Sequence, residues 1–398
     1  MNTEADDRQV DVIGDYLKDK KITIGVTGGI AAIEMPKLAR QLRRYSAQVR
    51  AVMTPSAEKV ISLLAMEWGT GNPVVTELSG KSEHLALEDL LVIAPATLNT
   101  INKIANGIAD NSLTTTAASA MGRGIPVIMA ASMHESLYNN PMLKENIAKL
   151  EHYGVRFVQP RGGEGKAKIA RNQNIAAECV RTLSESHLKG KKILVTAGPT
   201  PGRIDDVRLI TNRFKGRLGI EIANEAYLKG ADVTLILGSS GIKVPDYINT
   251  VAIRDFDEYR MQVFSNLETK CDIGIFSAAV ADYVPAQAVE GKIPSKGGLE
   301  SISLKETSKV IDEARTKYPD LYMVTFKYEC GITRERLEAI AKSRTDKYQL
   351  IVANRGEDMV KQHNAIIVDK TGIIAEPESK REIAASLIKI LEKNYSET

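Results

Sequence analysis

Cysteine is scarce in this chain. Three thiols in 398 residues, Cys179, Cys271 and Cys330, have no metal-ligand spacing, and an odd, sparse count suits a reducing compartment better than a disulfide scaffold. Charge of one sign is lacking too: 53 Lys and Arg stand against 50 Asp and Glu, and a net charge of +3 gives no strong attraction to nucleic acid or to a membrane. No apolar run reaches the ~18 residues of a membrane span. The opening stretch MNTEADDRQVDVIGDYLKDKK is polar and acidic, unlike a secretion signal. A soluble, cytoplasmic protein is expected. At ~100–200 residues per domain, this length predicts two or three domains rather than one core.

What the chain does have is a repeated opening. KITIGVTGGIAA (Lys21–Ala32) and KKILVTAGPT (Lys191–Thr200) each read as an apolar strand, a glycine turn and a helix. Such a turn aims several backbone N–H groups at one point, where a phosphate can sit. Downstream of each, short apolar runs alternate with helical patterns. The first set predicts strands at Ile22–Val26, Val49–Met53, Leu90–Ala94 and Pro126–Ala130, with a helix over Ile30–Tyr45 and helical spacing from Thr100 to Ile108. Arg161–Asn174 reads as a mobile surface loop, and Ile175–Ser186 as the closing helix. The second set predicts strands at Ile193–Thr196, Val233–Leu237, Ile273–Ser277, Tyr322–Phe326 and Leu350–Ala353, a hairpin turning at Lys370–Gly372 and a last helix over Lys380–Lys393. The fold class expected is α/β: two doubly wound, mostly parallel, Rossmann-like domains, 1–188 and 189–398.

One more absence is informative. Dinucleotide-binding units carry an acidic residue at the end of the second strand to hold the ribose diol. Here those positions read Met53-Thr54-Pro55-Ser56 and Leu237-Gly238-Ser239-Ser240, so NAD is disfavoured. A glycine turn alone is also compatible with a plain strand–helix connection.

In the first half, APATLNTINKIANGIADN (Ala94–Asn111), together with GVTGGIAA, resembles flavoprotein decarboxylases that act on cysteine-derived carboxylates. The resemblance implies a flavodoxin-like domain with bound FMN, held around Thr27, Gly28, Gly29, Ile30, Thr54, Pro95, Ala96, Thr97, Asn99 and Asn111. The same segment also reads as a capped helix, with Asn111 as its C-terminal cap. His84, in SEHLAL, stands where the family places its catalytic histidine, with a shorter spacer before Ala94. ASMHESLY (Ala131–Tyr138) corresponds to the family's Pro-x-Met-Asn segment, with His134 in place of the substrate-binding asparagine. The loop Gly163–Lys168 lacks the cysteine of bacterial members, a pattern similar to the archaeal branch. His134, Lys166 and Lys168 are then the candidates for the last proton donor.

In the second half, TAGPT, DDVRLITN, GRLG, AAVADY, GKIPSK, LKETSKVI, FKYE and VAN follow in the order seen in phosphopantothenate–cysteine ligases. The joined chain resembles the bifunctional phosphopantothenoylcysteine decarboxylase / phosphopantothenate–cysteine ligase family of coenzyme A biosynthesis. That family implies CTP activation of 4′-phosphopantothenate as an acyl-cytidylate, displacement of CMP by cysteine, then FMN-dependent decarboxylation. By the same resemblance Asn212 holds the acyl-nucleotide carbonyl, Lys292 neutralises the triphosphate, Asp282 meets base or ribose, and Phe326 stacks beside the base. Gly198, Thr200, Gly216, Ala278 and Ala279 would complete the nucleotide site, with Lys342 and Lys347 as further phosphate contacts on a helix before the Leu350 strand. The usual Ser-Asn-x-Ser-Ser-Gly has become Thr211-Asn212-Arg213-Phe214-Lys215-Gly216. Magnesium is expected with the triphosphate, and no carboxylate cluster marks a protein metal site. Family members suggest a homo-oligomer, flavin domains in trimers and ligase domains in dimers, up to a dodecamer. Two rival readings are a flavoprotein acting on another acid, and a working ligase joined to a catalytically silent FMN scaffold.

Overall fold

The computed structural model describes residues 7–80, 88–163, 165–294, 301–359 and 363–396. Two compact units divide it, Met1–Ser184 and Glu185–Thr398. No described helix is long and apolar enough to cross a membrane.

In the first unit six parallel strands form one sheet: β1 (Lys21–Val26), β2 (Gln48–Met53), β3 (Val74–Val75), β4 (Leu90–Ala96), β5 (Val127–Ala131) and β6 (Arg156–Val158), in the order β3-β2-β1-β4-β5-β6. β4 and β5 are buried along their whole length, as expected of strands covered on both faces. The longer helices are α1 (Met35–Arg44), α2 (Leu63–Thr70), α3 (Leu98–Ala105), α4 (Ser112–Gly122), α5 (Pro141–His152) and α6 (Asn172–Leu183), with one-turn helices at Pro55–Glu58 and Glu135–Tyr138. The helix expected over Ile30–Tyr45 is two pieces, a 3₁₀ turn at Ile30–Glu34 and then α1, which opens with Pro36 in its first turn, where the missing N–H is harmless.

The main sheet of the second unit has eight strands: β7 (Lys192–Ala197), β8 (Asp232–Gly238), β9 (Asn249–Ile253), β10 (Ile273–Phe276), β11 (Tyr322–Glu329), β12 (Leu350–Arg355), β13 (Ile366–Asp369) and β14 (Gly372–Ala375). Their order is β9-β8-β7-β10-β11-β12-β13-β14, parallel as far as β12 and antiparallel for the last two. Alternate residues feed two cores. Ile193, Val195, Ile275, Val324 and Val352 pack with α7 (Arg217–Leu228) and α11 (Lys380–Ser396). Leu194, Ile236, Phe276, Met323 and Ile351 pack with α8 (Phe256–Glu268), α9 (Val310–Lys317) and α10 (Arg334–Arg344). This two-residue period buries both faces, so the sheet is doubly wound.

In both sheets the order reverses beside the first strand, between β1 and β4 and between β7 and β10. A crevice opens outside the carboxyl ends of strands at such a reversal. Both glycine turns lie there.

Candidate active sites

At the first crevice, the Thr27 hydroxyl donates to the Pro95 carbonyl at 2.6 Å, tying the ends of β1 and β4 together. Thr27, Thr54, Pro95 and Ala96 are buried, while Gly28, Ile30 and Asn99 are exposed and Thr97 is half-buried. Gly28 has a steric reason: a Cβ there would stand 2.5 Å from the Ser56 Cβ. Thr54 caps the short helix Pro55–Glu58, its hydroxyl accepting from the Ala57 N–H at 3.3 Å. Thr97 sits at the N-terminus of α3 without bonding the helix backbone, and its hydroxyl meets that of Thr100 at 3.2 Å. β1, β2 and β4 are hydrogen-bonded neighbours, so their ends bring Thr27–Gly29, Thr54 and Pro95–Thr97 to one edge.

Asn111 does not end a helix. It starts α4: its side-chain oxygen accepts from the Thr114 N–H at 3.0 Å in a capping box, and its amide donates to Asp110 at 3.0 Å. Asn106 is the cap that ends α3, and the helical spacing extended past it because Ile108 continues the apolar pattern. Arg161–Asn174 also differs from the expected loop. Met133–His134 pairs antiparallel with Lys166–Ala167, setting His134 opposite Lys166, and Arg161 and Lys168 exchange two backbone hydrogen bonds of 2.8 Å. α6 already begins at Asn172. His134 is exposed, its Nδ1 3.2 Å from the Ser136 hydroxyl. His84 lies outside the described residues.

The second crevice opens into a cavity of about 890 Å³. Gly198, Asn212, Gly216, Ala278, Ala279, Asp282 and Phe326 line it, all named from sequence and drawn from four separate segments. Close backbone packing needs the glycines here. Gly216 holds a φ of +77° and a Cβ on it would stand 2.5 Å from the Gly198 nitrogen, while one on Gly238 would fall 1.8 Å from the Pro199 carbonyl oxygen. The Asn212 amide donates to the Ala279 carbonyl at 2.9 Å, joining two of the segments that line the cavity. Asp282 is not a lone acid: its carboxylate meets the Lys309 ammonium at 2.5 Å.

Other expected contacts lie apart from that lining. The buried Thr200 hydroxyl accepts from the Ala281 N–H at 2.8 Å, which makes it a brace beneath the site. Lys292 is exposed, and neither it nor Lys342 nor Lys347 lines the cavity. Lys342 is on α10, but Lys347 lies beyond its end, 3.3 Å from Asp312. Arg344, one turn short of Lys347, faces the cavity instead.

Sequence reading passed over several lining residues. Lys309 and Tyr328 sit inside motifs already noted, LKETSKVI and FKYE, whereas His363 and Lys380 carry no local signal. Phe214, which replaces a family serine, packs edge-on to Tyr328 with ring centroids 5.1 Å apart. Among the described residues, Thr325 Oγ1 and Arg344 Nε are buried without a hydrogen-bond partner, and the Tyr259 hydroxyl leans on Thr196 without closing one. All three residues line the same cavity. Unpaired buried polar atoms are costly, and a polar ligand would satisfy them. Among the described residues no three His, Cys, Asp or Glu side chains gather as a metal site.

Comparison with known proteins agrees with this division. Residues 14–184 match the Flavoprotein family model, and residues 188–395 match the model of the DNA/pantothenate metabolism flavoprotein C-terminal domain. The coenzyme A biosynthesis bifunctional protein CoaBC of Thermococcus kodakarensis is 40% identical over 363 residues, covering 88% of this chain and 89% of the relative. That of Methanocaldococcus jannaschii is 34% identical over 390 residues, covering 95% and 94%. The solved DNA/pantothenate metabolism flavoprotein from Streptococcus pneumoniae overlaps 52% of this chain and 100% of its own, at 27% identity and a TM-score of 0.47. The chain therefore belongs to the family of bifunctional coenzyme A biosynthesis proteins, and is an enzyme with a flavoprotein decarboxylase half and a ligase half.

Proposed function

We propose that residues 189–398 condense 4′-phosphopantothenate with cysteine at the expense of CTP, and that residues 1–188 decarboxylate the product to 4′-phosphopantetheine. The observation that carries the ligase reading is the 890 Å³ cavity at the strand reversal, which gathers Gly198, Asn212, Gly216, Ala278, Ala279, Asp282 and Phe326. The phosphopantothenate carboxylate attacks the nucleotide's α-phosphorus, pyrophosphate leaves, and the cysteine amine then displaces CMP. Backbone N–H groups beside Gly198 and Gly216 meet the phosphates, on turns packed so closely against neighbouring backbone that only glycine fits them. Arg213, Lys215, Arg217, Lys309, Lys327, Arg344 and Lys380 give the lining its positive charge, and Lys292 joins them from outside it. Phe326 flanks the base, and Asp282, shared with Lys309, takes the ribose or base. Magnesium enters with the triphosphate as part of the substrate, held mainly by phosphate oxygens.

The residues of the first crevice suit a flavin phosphate: the Gly28–Gly29 turn, packed closely on Ser56 at Gly28, lies beside the hydroxyls of Thr54 and Thr97. Bound FMN would supply two-electron oxidation of the cysteine thiol and return of those electrons. Thr27, Pro95 and Ala96 shape the wall, Ile30 covers the turn, and Asn99 offers an amide. Asn111 contributes less than its residue type suggests, since its carbonyl is occupied by the α4 cap. His84 is the base expected near the flavin. His134, paired across strands with Lys166, meets the leaving carboxylate or the final proton, with Lys168 beside them. We place the enzyme in the cytoplasm as a homo-oligomer, flavin halves in trimers and ligase halves in dimers.

One assay tests this. With 4′-phosphopantothenate, cysteine, CTP and Mg²⁺, the purified protein should release both pyrophosphate and carbon dioxide. Pyrophosphate alone would favour the silent-scaffold reading, and neither product would sink the proposal. His84→Asn should stop carbon dioxide release only. Asn212→Asp, which sets a carboxylate against the Ala279 and Val280 carbonyls, should slow the ligase step about a hundredfold.

A further inference from the structure

Lys292 sits on an exposed stretch, yet the backbone on both sides of it is bonded to a segment more than 80 residues earlier. The Ile293 N–H donates to Asp205 Oδ2 at 3.1 Å, and the Gly291 N–H donates to Asp206 Oδ2 at 2.8 Å. In return the Asp206 N–H donates to the Gly291 carbonyl at 3.0 Å, and Arg208 donates to the Ile293 carbonyl at 3.1 Å. Further out, the Val289 N–H donates to the Ile204 carbonyl at 2.9 Å. Asp205 is 1% exposed, and its other oxygen accepts the N–H groups of Val207 and Arg208 at 2.8 and 2.7 Å. Asp206 is half in solvent and also meets Arg203 at 3.5 Å.

We propose that Asp205 and Asp206 are positioning residues for Lys292, gripping the chain on either side of it so that its ammonium is presented to the triphosphate from a fixed backbone. The proposal rests on the phosphate role given to Lys292 above. A long, exposed lysine on a free loop would lose backbone and side-chain freedom on meeting the nucleotide, whereas a backbone already held loses less. A bare ion pair would not need this arrangement. Each bond runs to a main-chain group, so what is fixed is the path of Gly291–Ile293 whatever side chain it carries. The same bonds explain why an acidic pair directly followed by Val207 and Arg208 belongs to a nucleotide site whose cavity none of the four lines.

The test is a double-mutant cycle on the full-length enzyme, reading KM for CTP and kcat of pyrophosphate release. Lys292→Ala should raise KM about tenfold, as for loss of one charge-assisted contact. Asp206→Ala should raise KM severalfold with little change in kcat. Asp206→Asn, which keeps an oxygen for the Gly291 N–H, should restore most of the affinity. The double variant Asp206→Ala/Lys292→Ala should bind CTP no worse than Lys292→Ala alone, because a lysine that is absent needs no positioning. Asp206 is at the surface, so its replacement leaves the buried hydrogen bonds of Asp205 in place. If the two single effects multiply, or Asp206→Asn fails to restore affinity, the clamp is wrong while the ligase reading stands. If Lys292→Ala leaves KM unchanged, the phosphate role of Lys292 falls and the clamp falls with it.

Discussion

Single atoms decide the behaviour of both crevices. Thr27 is the clearest case in the first: its hydroxyl is the tie between β1 and β4, at 2.6 Å and out of solvent. Thr27→Val keeps the shape but leaves the Pro95 carbonyl unpaired, a loss of about 1–3 kcal/mol. The expected result is a lower Tm and less visible flavin absorbance in the purified protein, and an unchanged spectrum and Tm would contradict it. Asp205 contributes to the acid limb of the second unit. Burial by itself would raise its carboxyl, but the N–H groups of Ile293, Val207 and Arg208 and the Arg208 guanidinium hold it down at about 2, against an ordinary 3.8. A folded-state value below the unfolded one means that Asp205 stabilises the fold above pH 3.8 and that this stabilisation drains away as pH falls toward 2. Asp205→Asn should therefore lessen the slope of the urea midpoint with pH across that window. A wild-type slope there in the variant would count against the assignment.

At the level of elements, the central strands were readable, while the edge strands β3, β6 and β9 and the helix ends were not. Buried β-branched and leucine runs such as KILVTA and DVTLILG identify central parallel strands because both faces must be apolar. Helix boundaries depend on local competition. Asn111 caps forward through Thr114 instead of backward, and α10 ends at Arg344 with Thr345 as its cap, which moves Lys347 off the helix and turns Arg344 toward the cavity. The expected loop at Arg161–Asn174 became a bridge to Met133–His134 because its partners lie far away in sequence. The last helix carries its weight through packing. Leu387 of α11 is fully buried against the core shared with α7. Leu387→Ala should lower the stability of the second unit by about 2–5 kcal/mol. Chemical denaturation followed through pyrophosphate-forming activity would show it as an earlier midpoint, and no shift would mean that α11 is not part of the cooperative core.

Among the described residues each unit holds one large sheet, of six strands in the first and eight in the second, and every strand pairing, those of the three small two-stranded sheets included, is internal to one unit. A sheet that borrows no strand can fold alone. A fragment of residues 185–398 should unfold cooperatively and release pyrophosphate from CTP with 4′-phosphopantothenate and cysteine, and release no carbon dioxide. A fragment that stays unfolded would show that the second core is incomplete. The amino-acid sequence by itself determined the architecture and the family, because a doubly wound sheet writes itself as a local alternation of apolar strands and helices, and because GVTGGIAA, TAGPT and their followers keep their order. The positive φ of Gly216 is a local need for glycine, whereas the atoms a Cβ on Gly28 or Gly216 would meet, on Ser56 and Gly198, are set by the fold. What only the tertiary structure decided is which charges act together. Asp282 turned out to share its carboxylate with Lys309, Thr200 to brace Ala281, and Asp205 and Asp206 to hold the chain around Lys292. These pairings span 27 to 88 residues, and a hydrogen bond is specified by distance and angle, which no local pattern of residue types encodes.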